Sequence, residues 1–453
     1  MGSAVTAVQV IANPETYKQA LFTIDGEQFP APLCSLAIAK KTGGKALFIV
    51  PESIATVFAQ TPEECMRMLQ NTDLIEEKIR NKLRAGDVEF EIQIFPSTGT
   101  WQGKTVTAEF KGGFENIEAA FFLLFIDLIK QGRQIYFDVS SGLNVYPAAG
   151  IRALYNAATH QILTNFDQHI KKTKTAPQHH LVFYPQVNKE NQEIKPTIQP
   201  VEAKILKDFP LPREEIEKIS RTLYNYINRH SNQAQSIVME GFRAFNCLTL
   251  NTPLPLFFND IIRFIEETEI SQIENELQTA VSRAATEPES PPEGDSIVRV
   301  MRKPLKDFRY LRNVLGALAL TKALMRLIKE FRNTVTETGV SLAKLEEFFL
   351  QNIYRDGGVD GWFTLNKELL TNEIKTIQQK AQGLPRNQPQ MLTTISGLGG
   401  SGDHRRNFFA HSGFLADITQ VTKDDNDNLH LKYSFRTSSV RCETIRKWIS
   451  LMP

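Results

Sequence analysis

Three residues near the carboxyl terminus carry side chains that could cleave RNA together without a metal ion. They are Arg406, Asn407 and His411, in the run Arg406-Asn407-Phe408-Phe409-Ala410-His411. RNA can be cut by its own 2'-hydroxyl, so a protein has only to move a proton and to stabilise the pentavalent phosphorane. An imidazole exchanges protons near neutral pH, and a guanidinium stays charged and offers several N–H donors to phosphate oxygens. The run therefore predicts a metal-independent ribonuclease site.

The spacing of these residues predicts where they lie on a helix. Asn407 and His411 are four positions apart and would share one helix face, whereas the long side chain of Arg406 must reach round to join them. Such a site suits completion by a second copy of the helix. Arg405 also stands at a workable spacing from His411, so the sequence leaves open which arginine acts.

A purely structural interpretation of the same run is open as well. Asp403 would cap a short helix, the arginines would be solvated, and His411 would end the helix before Gly413. The chain contains another Arg-Asn pair, Arg332-Asn333, with Glu337 at the position where the imidazole would be needed. We interpret that second pair as structural.

Composition limits the classes of protein that this chain can belong to. Its 453 residues predict two or three domains. The net charge of +1 gives no general attraction to nucleic acid, so contact with RNA needs a local patch. The most apolar run, residues 119–129, is too short to span a bilayer and contains Asp127, and we expect a cytoplasmic protein without membrane contact. Wide spacing argues against a zinc site or a disulfide framework for the four cysteines, Cys34, Cys65, Cys247 and Cys442.

The first two hundred residues alternate between strand and helix signals. The predicted strands are Val5–Ile11, Ala46–Val50, Val88–Phe95, Ile135–Val139 and Leu181–Tyr184. The predicted helices between them are Pro32–Lys41, Pro62–Arg84, Glu115–Lys130 and Pro147–His160. This alternation predicts an α/β Rossmann-like domain with a mostly parallel sheet and helices on both faces. The strict alternation of apolar and polar residues in Val88–Phe95 predicts an edge strand.

Polar loops follow four of the predicted strands, at the sheet edge where such folds bind ligands. Asp138-Val139-Ser140-Ser141-Gly142 is the most specific of them, because it places hydroxyls and a glycine where a helix begins, which suits an anion. The others contain Asn13, Ser53, and Ser97 with Thr98. None has the Gly-x-Gly-x-x-Gly or Gly-Lys-Ser/Thr pattern, which disfavours a dinucleotide cofactor or an NTPase.

Beyond Gln186 the signals become helical. Helices are predicted at 210–232, 308–334 and 373–382, with a terminal helix to 449 and a short hairpin at 424–435. Residues 286–295 are rich in proline and form a predicted linker, and the glycine-rich residues 397–402 form a predicted loop before the Arg-Asn-His run.

This arrangement resembles the CARF-HEPN ribonucleases of type III CRISPR systems. The run Arg406 to Gly413 is similar to the HEPN motif, and Ala46 to Ser53 resembles the second strand of the CARF sensor with its loop. The run Asp138 to Asn144 resembles the CARF signature Asp-x-Thr-His-Gly-x-Asn, with Ser140-Ser141 in place of Thr-His. The resemblance implies an α/β Rossmann-like CARF sensor at 1–190, a helical connector at 191–295 and an all-α HEPN effector at 296–453.

The resemblance also implies an activity and its partners. The protein would be a cytoplasmic homodimer, or a larger assembly, that needs no cofactor and is activated by cyclic oligoadenylate, with cyclic tetraadenylate preferred to cyclic hexaadenylate. The activated dimer would cleave single-stranded RNA, with His411 in proton transfer, Arg406 at the phosphate and Asn407 orienting one of them. The ligand would be bound by Ser140, Ser141, Gly142 and Asn144, with Asn13, Ser97 and Thr98 as further candidates.

Two other functions fit parts of the sequence. A ligand-responsive transcription regulator would bind DNA through the middle helices, but the best recognition helix, 213–229, begins with acidic Glu214, Glu215 and Glu217. A ring nuclease would use Ser140 or Ser141 to position a 2'-hydroxyl of the cyclic ligand for attack. The sequence leaves open the ring size of the activator, the RNA preference and whether the sensor cleaves its ligand.

Overall fold

Two compact units make up the protein. The computed structural model describes residues 4–83, 87–140, 144–171, 178–203, 208–355, 363–396, 402–436 and 438–451. The first unit consists of Met1–Ile162, Ala176–Ile205 and Gln278–Arg312, and the second consists of Leu163–Thr175, Leu206–Leu277 and Asn313–Pro453. Residues 278–312 therefore belong with the amino-terminal part of the chain, although they lie far from it in sequence.

A six-stranded sheet forms the centre of the first unit. Its strands are, in spatial order, Thr197–Pro200, His180–Phe183, Gln134–Asp138, Val5–Val10, Lys45–Pro51 and Phe90–Phe95. All neighbours run parallel except the first pair. Every residue of Val5–Val10 is buried, as a central strand covered on both faces requires. The predicted strands and the edge position of Phe90–Phe95 are confirmed.

Helices of the first unit follow the predicted order with one correction. The predicted helix Pro62–Arg84 is two helices, because Asn71 leaves the helical conformation between them with φ −129 and ψ 89. The α-helices are Cys34–Thr42, Ala55–Phe58, Pro62–Gln70, Asp73–Lys82, Phe114–Lys130 and Val145–Thr164. The last two residues of Val145–Thr164 belong to the second unit. The first unit also has 3-10 turns at Pro14–Thr16 and Glu52–Ile54.

Two small sheets of the first unit were not predicted. Ala20–Ile24 and Glu27–Ala31 form a hairpin whose turn, Asp25-Gly26, has positive φ at both residues, and Gln192–Ile194 joins it. The second small sheet contains Gly99–Gln102 and Thr107–Lys111. Its third strand, Ile297–Met301, pairs parallel with Thr107–Lys111 and lies in the predicted effector half of the sequence.

The second unit is mainly helical. Its α-helices include Phe166–Ile170, Arg213–Ile216, Ile219–Ile227, Ser231–Thr249, Leu342–Leu345, Thr364–Lys380, Leu392–Ser396, His404–Ala410 and Cys442–Ser450. It also contains a π-helix at Glu346–Ile353 and 3-10 turns at Asn228–His230 and Leu254–Phe257. The helices Glu267–Thr286 and Phe308–Arg332 contribute residues to both units. The predicted helix 210–232 is thus several shorter elements, and the predicted helix 373–382 begins earlier, at Thr364.

The second unit also carries a four-stranded antiparallel sheet, so it is not purely α-helical as expected. Its strands are Val340–Ser341, Leu429–Tyr433, Thr419–Lys423 and Gln390–Met391. The predicted hairpin at 424–435 is the central pair of this sheet, displaced by a few residues. The predicted fold class, an α/β amino-terminal domain followed by a helical carboxyl-terminal region, is confirmed. Among the helices of the described ranges, none is both long enough and apolar enough to cross a membrane.

The second Arg-Asn pair has a structural role in this unit, as interpreted from the sequence. The guanidinium of Arg332 donates hydrogen bonds to the backbone oxygens of Leu256 and Ile262 and to Oδ1 of Asn259. These bonds join the end of the helix Phe308–Arg332 to the loop 256–262. Arg332 is therefore engaged by the protein itself.

Candidate functional site

The three residues of the predicted ribonuclease site lie on and next to one short helix, His404–Ala410. Asp403 caps this helix, because its carboxylate accepts hydrogen bonds from the N–H groups of Arg405 at 3.0 Å and Arg406 at 3.2 Å. His411 is the first residue beyond the helix, with φ −110 and ψ 36. Its N–H still donates to the backbone oxygen of Asn407 at 3.0 Å, so these two residues lie one helical turn apart, as their spacing predicted.

Exposure differs between the two candidate arginines. Arg406 is exposed, whereas its neighbour Arg405 is partly buried. An exposed guanidinium can meet a substrate phosphate without first leaving a partner. The helix thus presents Arg406 and His411 to solvent, with Asn407 partly buried between them.

Phe408 attaches the helix to the core of the second unit. It is fully buried, and its ring packs against Trp448 of the helix Cys442–Ser450, with ring centroids 5.8 Å apart. The neighbouring Phe409 contacts it edge-on at 5.2 Å. Burial of this large side chain fixes which face of the short helix turns towards solvent.

A tight turn holds the backbone directly after His411. Ser412 and Gly413 both have positive φ, 53 and 83, a conformation that a residue with a side chain adopts only at a cost. The hydroxyl of Ser412 accepts a hydrogen bond from Nδ2 of Asn251 at 2.8 Å, and both residues are buried. The hydroxyl of Tyr433 donates to the backbone oxygen of Gly413 at 2.7 Å. Contacts from two other segments therefore fix the position of His411.

Glu373 contacts His411, although the sequence did not predict it as part of the site. Nδ1 of His411 lies 3.1 Å from Oε1 of Glu373, in the helix Thr364–Lys380. The imidazole is 51% exposed and the carboxylate 23%. Glu373 stands 38 positions before His411, and no local pattern marks it among the other charged residues of its helix.

The predicted ligand loop of the first unit is described in part. Ser140 is partly buried: its N–H donates to Oδ1 of Asp138 at 2.9 Å, and its hydroxyl accepts from the N–H of Tyr184 at 2.6 Å. Asn144 is exposed directly before the helix Val145–Thr164. Ser141 and Gly142 lie outside the described residues, as do residues 397–401 of the predicted glycine-rich loop.

Asp138 anchors this loop beneath the surface. Its carboxyl group is buried, and Oδ2 has no hydrogen-bond partner in the described parts of the chain. Burial raises the pKa of Asp138 to about 7, although the hydrogen bond from the Ser140 N–H acts in the opposite direction. The carboxyl group is therefore held partly protonated at neutral pH.

The weaker ligand candidates have different surroundings. Ser97 is buried, and its hydroxyl lies 3.0 Å from the N–H of Ser53 and 2.9 Å from the hydroxyl of Tyr146. The hydroxyl of Thr98 lies 3.3 Å from the backbone oxygen of Gly112, which accepts its hydrogen bond. Asn13 is partly buried in the loop after the strand Val5–Val10. The hydroxyl of Ser97 thus links its own loop to the loop of Ser53 by a hydrogen bond.

Two protein-family models match this chain. One is described as the CARF domain of the CRISPR system endoribonuclease Csx1 and matches residues 6–184. The other is described as the HEPN domain of the same endoribonuclease and matches residues 363–436. Together they cover more than half of the chain, in the order that the resemblance implied.

The chain belongs to the CRISPR-associated CARF-HEPN ribonuclease family. Its two domains indicate a CRISPR-associated endoribonuclease. The HEPN match contains Arg406, Asn407 and His411 together with Glu373, and the CARF match contains all the predicted ligand residues. No curated protein matches the chain.

Proposed function

We propose that this CARF-HEPN protein is an endoribonuclease that cyclic oligoadenylate activates and that cleaves single-stranded RNA without a metal ion, in antiviral defence. The observation that carries the proposal is the short helix within the HEPN match, which presents Arg406 and His411 to solvent from a firmly anchored backbone. An imidazole and a guanidinium are sufficient for cleavage by the RNA's own 2'-hydroxyl.

The chemistry assigns one role to each residue. His411 takes the proton from the 2'-hydroxyl, and the 2'-oxygen forms a bond to phosphorus while the bond to the 5'-oxygen breaks. The departing 5'-oxygen takes up a proton from solvent. Arg406 stabilises the charge that accumulates on the phosphorane oxygens. Asn407 orients one of these two groups. The products are a 2',3'-cyclic phosphate on one fragment and a 5'-hydroxyl on the other, because the attacking oxygen remains bonded to phosphorus.

A homodimer is part of the proposal. Leu365 and Leu369 are exposed by 64% and 39%, and they stand at four-residue intervals before Glu373 on the helix Thr364–Lys380. This spacing places the three residues along one face of the helix, next to His411. An exposed apolar face beside the candidate site favours contact with a second copy of the chain. Such contact would bring together two copies of the helix His404–Ala410, called the motif helix below.

The CARF domain supplies the activator site in this proposal. The strands Val5–Val10 and Gln134–Asp138 are parallel neighbours, with Gln9 opposite Asp138, so the loops that contain Asn13 and Ser140 begin at the same edge of the sheet. The helix Val145–Thr164 begins at this edge, and its amino end favours an anionic ligand. We propose cyclic tetraadenylate, in preference to cyclic hexaadenylate, as the activator.

The same proposal places the domain limits and the cell compartment. Along the sequence of this cytoplasmic protein, the proposed CARF domain occupies residues 1–190, the helical connector 191–295 and the HEPN domain 296–453. Residues 278–312 nevertheless pack with the first unit. The ligand can favour the cleaving arrangement only through a higher affinity for it than for the resting one.

Analysis of the cleaved ends tests the proposed chemistry. Single-stranded RNA incubated with the protein, cyclic tetraadenylate and EDTA should yield fragments that end in a 2',3'-cyclic phosphate. Fragments that carry a 5'-phosphate, or cleavage that EDTA abolishes, would contradict the proposed reaction.

A further inference from the structure

We propose that Glu373 is a positioning residue for proton transfer by His411, so that Nε2 of the imidazole is the nitrogen that exchanges a proton with RNA. The inference rests on the proposed ribonuclease function. It adds a second element, the helix Thr364–Lys380, to a site that the sequence motif places on a single helix.

The hydrogen bond fixes which nitrogen of His411 is occupied. A carboxylate can only accept, so the contact of 3.1 Å between Nδ1 and Oε1 of Glu373 requires a proton on Nδ1. The neutral imidazole then has its lone pair on Nε2. Since the imidazole is half exposed, Nε2 is the nitrogen that remains for a 2'-hydroxyl.

Neither partner of this hydrogen bond is on a loose segment. Glu373 lies in a helix of 17 residues, whose residues Leu370, Ile374 and Ile377 are buried. His411 is followed by the turn that Asn251 and Tyr433 hold. A pair held from both sides keeps the imidazole in one orientation, which proton transfer requires.

The carboxylate also affects the energy of the reaction. When the proton moves from the 2'-oxygen to Nε2, His411 becomes an imidazolium, and the negative charge of Glu373 stabilises it. The other charged residues within six positions of His411 along the chain are Arg405, Arg406 and Asp417. The phenol of Tyr433 donates to the backbone oxygen of Gly413 in the turn that follows.

The motif helix, His404–Ala410, offers a matched control for the pair of His411 and Glu373. Nδ1 of His404 lies 3.2 Å from Oδ2 of Asp417, so a second histidine on the motif helix also has a carboxylate partner. His404 is not part of the Arg-Asn-His run. Replacement of Asp417 therefore removes one histidine-carboxylate pair from the domain and leaves His411 with Glu373.

The test compares Glu373→Gln with Asp417→Asn and with Glu368→Gln, which changes an exposed glutamate on another face of the Glu373 helix. Single-turnover cleavage of single-stranded RNA with cyclic tetraadenylate is measured from about pH 5 to about pH 9, around the range in which histidine titrates. We expect Glu373→Gln to cleave about 10- to 100-fold more slowly, a loss of the size seen when a metal-binding histidine loses the carboxylate that orients it. The loss should appear across this pH range, because the imidazole is no longer held in one orientation.

The two controls should keep the rate and the pH profile of the wild type. A Glu373→Gln protein with the wild-type rate and profile, while His411→Ala is inactive, would overturn the inference and leave the proposed function intact. An Asp417→Asn protein with the same loss of rate as Glu373→Gln would also overturn it, because the effect would then come from the total charge. A wild type that does not cleave with ligand, or a His411→Ala protein that cleaves equally well, would contradict the proposed function instead.

A spectroscopic measurement on the unmodified protein keeps the inference testable if the Glu373 variants do not fold. Isotope-labelled histidine gives different nitrogen shifts for the two neutral tautomers, and comparison with His411→Ala assigns the signal. A proton on Nδ1 supports the positioning role. A neutral His411 with its proton on Nε2 would overturn it.

Discussion

The carboxylate of Glu52 forms a buried ion pair with the guanidinium of Arg302, with Nη2 and Oε2 2.6 Å apart, although 250 residues separate them in sequence. Oε1 of Glu52 also accepts the N–H of Ser97 at 2.9 Å. Arg302 directly follows the strand Ile297–Met301, so the pair joins that strand to two loops at the carboxyl ends of the central sheet. A segment from the second half of the sequence is thereby an integral part of the first unit.

Loss of Arg302 should therefore destabilise the first unit strongly. Arg302→Met leaves the Glu52 charge buried without its partner, which costs about 3–5 kcal/mol in comparable cases. The double variant Glu52→Gln, Arg302→Met should recover much of this loss, because no unpaired charge remains. Urea unfolding followed by circular dichroism measures the free energy of unfolding of each variant. An Arg302→Met protein as stable as the wild type would rule out an important role for the ion pair.

The buried Asp138 predicts a specific dependence of stability on pH. Its pKa in the folded protein, about 7, is higher than that of an unfolded aspartate, so the folded state binds a proton more tightly. The free energy of unfolding should then fall as pH rises from about 4 to about 7, by at most about 1.4 kcal/mol per pH unit, and should stay level above that range. Asp138→Asn cannot titrate and should gain stability relative to the wild type over this interval. Urea unfolding at a series of pH values measures this difference. If the free energy of unfolding changed with pH in the same way for both proteins, the prediction would be contradicted.

The turn after His411 predicts different results for two substitutions of Ser412. Ser412→Ala removes the acceptor of the Asn251 Nδ2 hydrogen bond and should cost about 1–3 kcal/mol, since a buried donor is left unsatisfied. Ser412→Gly also loses that bond, but it relieves the positive φ of 53, so it should be the less destabilised variant by about 1 kcal/mol. Thermal unfolding compares them, and an alanine variant more stable than the glycine variant would contradict this account of the turn.

Exposure of the two arginines predicts which of them acts on RNA. Arg406→Ala should lower the single-turnover cleavage rate by about 100- to 1,000-fold, the usual loss when one donor to a developing oxyanion is removed. Arg405→Ala should lower it only a few-fold, because that side chain is partly buried and at most contributes general positive charge. Equal losses in the two variants would show that exposure does not identify the working arginine.

Local patterns were enough to predict most of the first unit. The run Val5–Val10 is buried on both faces and is apolar enough to be recognised as a strand. The strict alternation in Phe90–Phe95 identified the edge of the sheet, because a central strand of a parallel sheet with helices on both faces would bury both sets of side chains. The hairpin at Asp25-Gly26 was missed although its turn residues favour such a turn.

Other features could not be predicted because they depend on residues far apart in sequence. Nothing in Ile297–Met301 indicates that its partner strand is Thr107–Lys111. The motif helix was predicted from the spacing of Arg406, Asn407 and His411. The contact of His411 with Glu373 depends on how two helices pack, and a pattern within one helix carries no information about it.

The most direct measurement is cleavage of a fluorescent single-stranded RNA in the presence of EDTA by the wild type and by His411→Ala, each with and without cyclic tetraadenylate. We expect cleavage by the wild type that the ligand stimulates and that disappears in the His411→Ala protein. Cleavage that the substitution leaves unchanged, or no cleavage by the wild type under any of these conditions, would contradict this expectation.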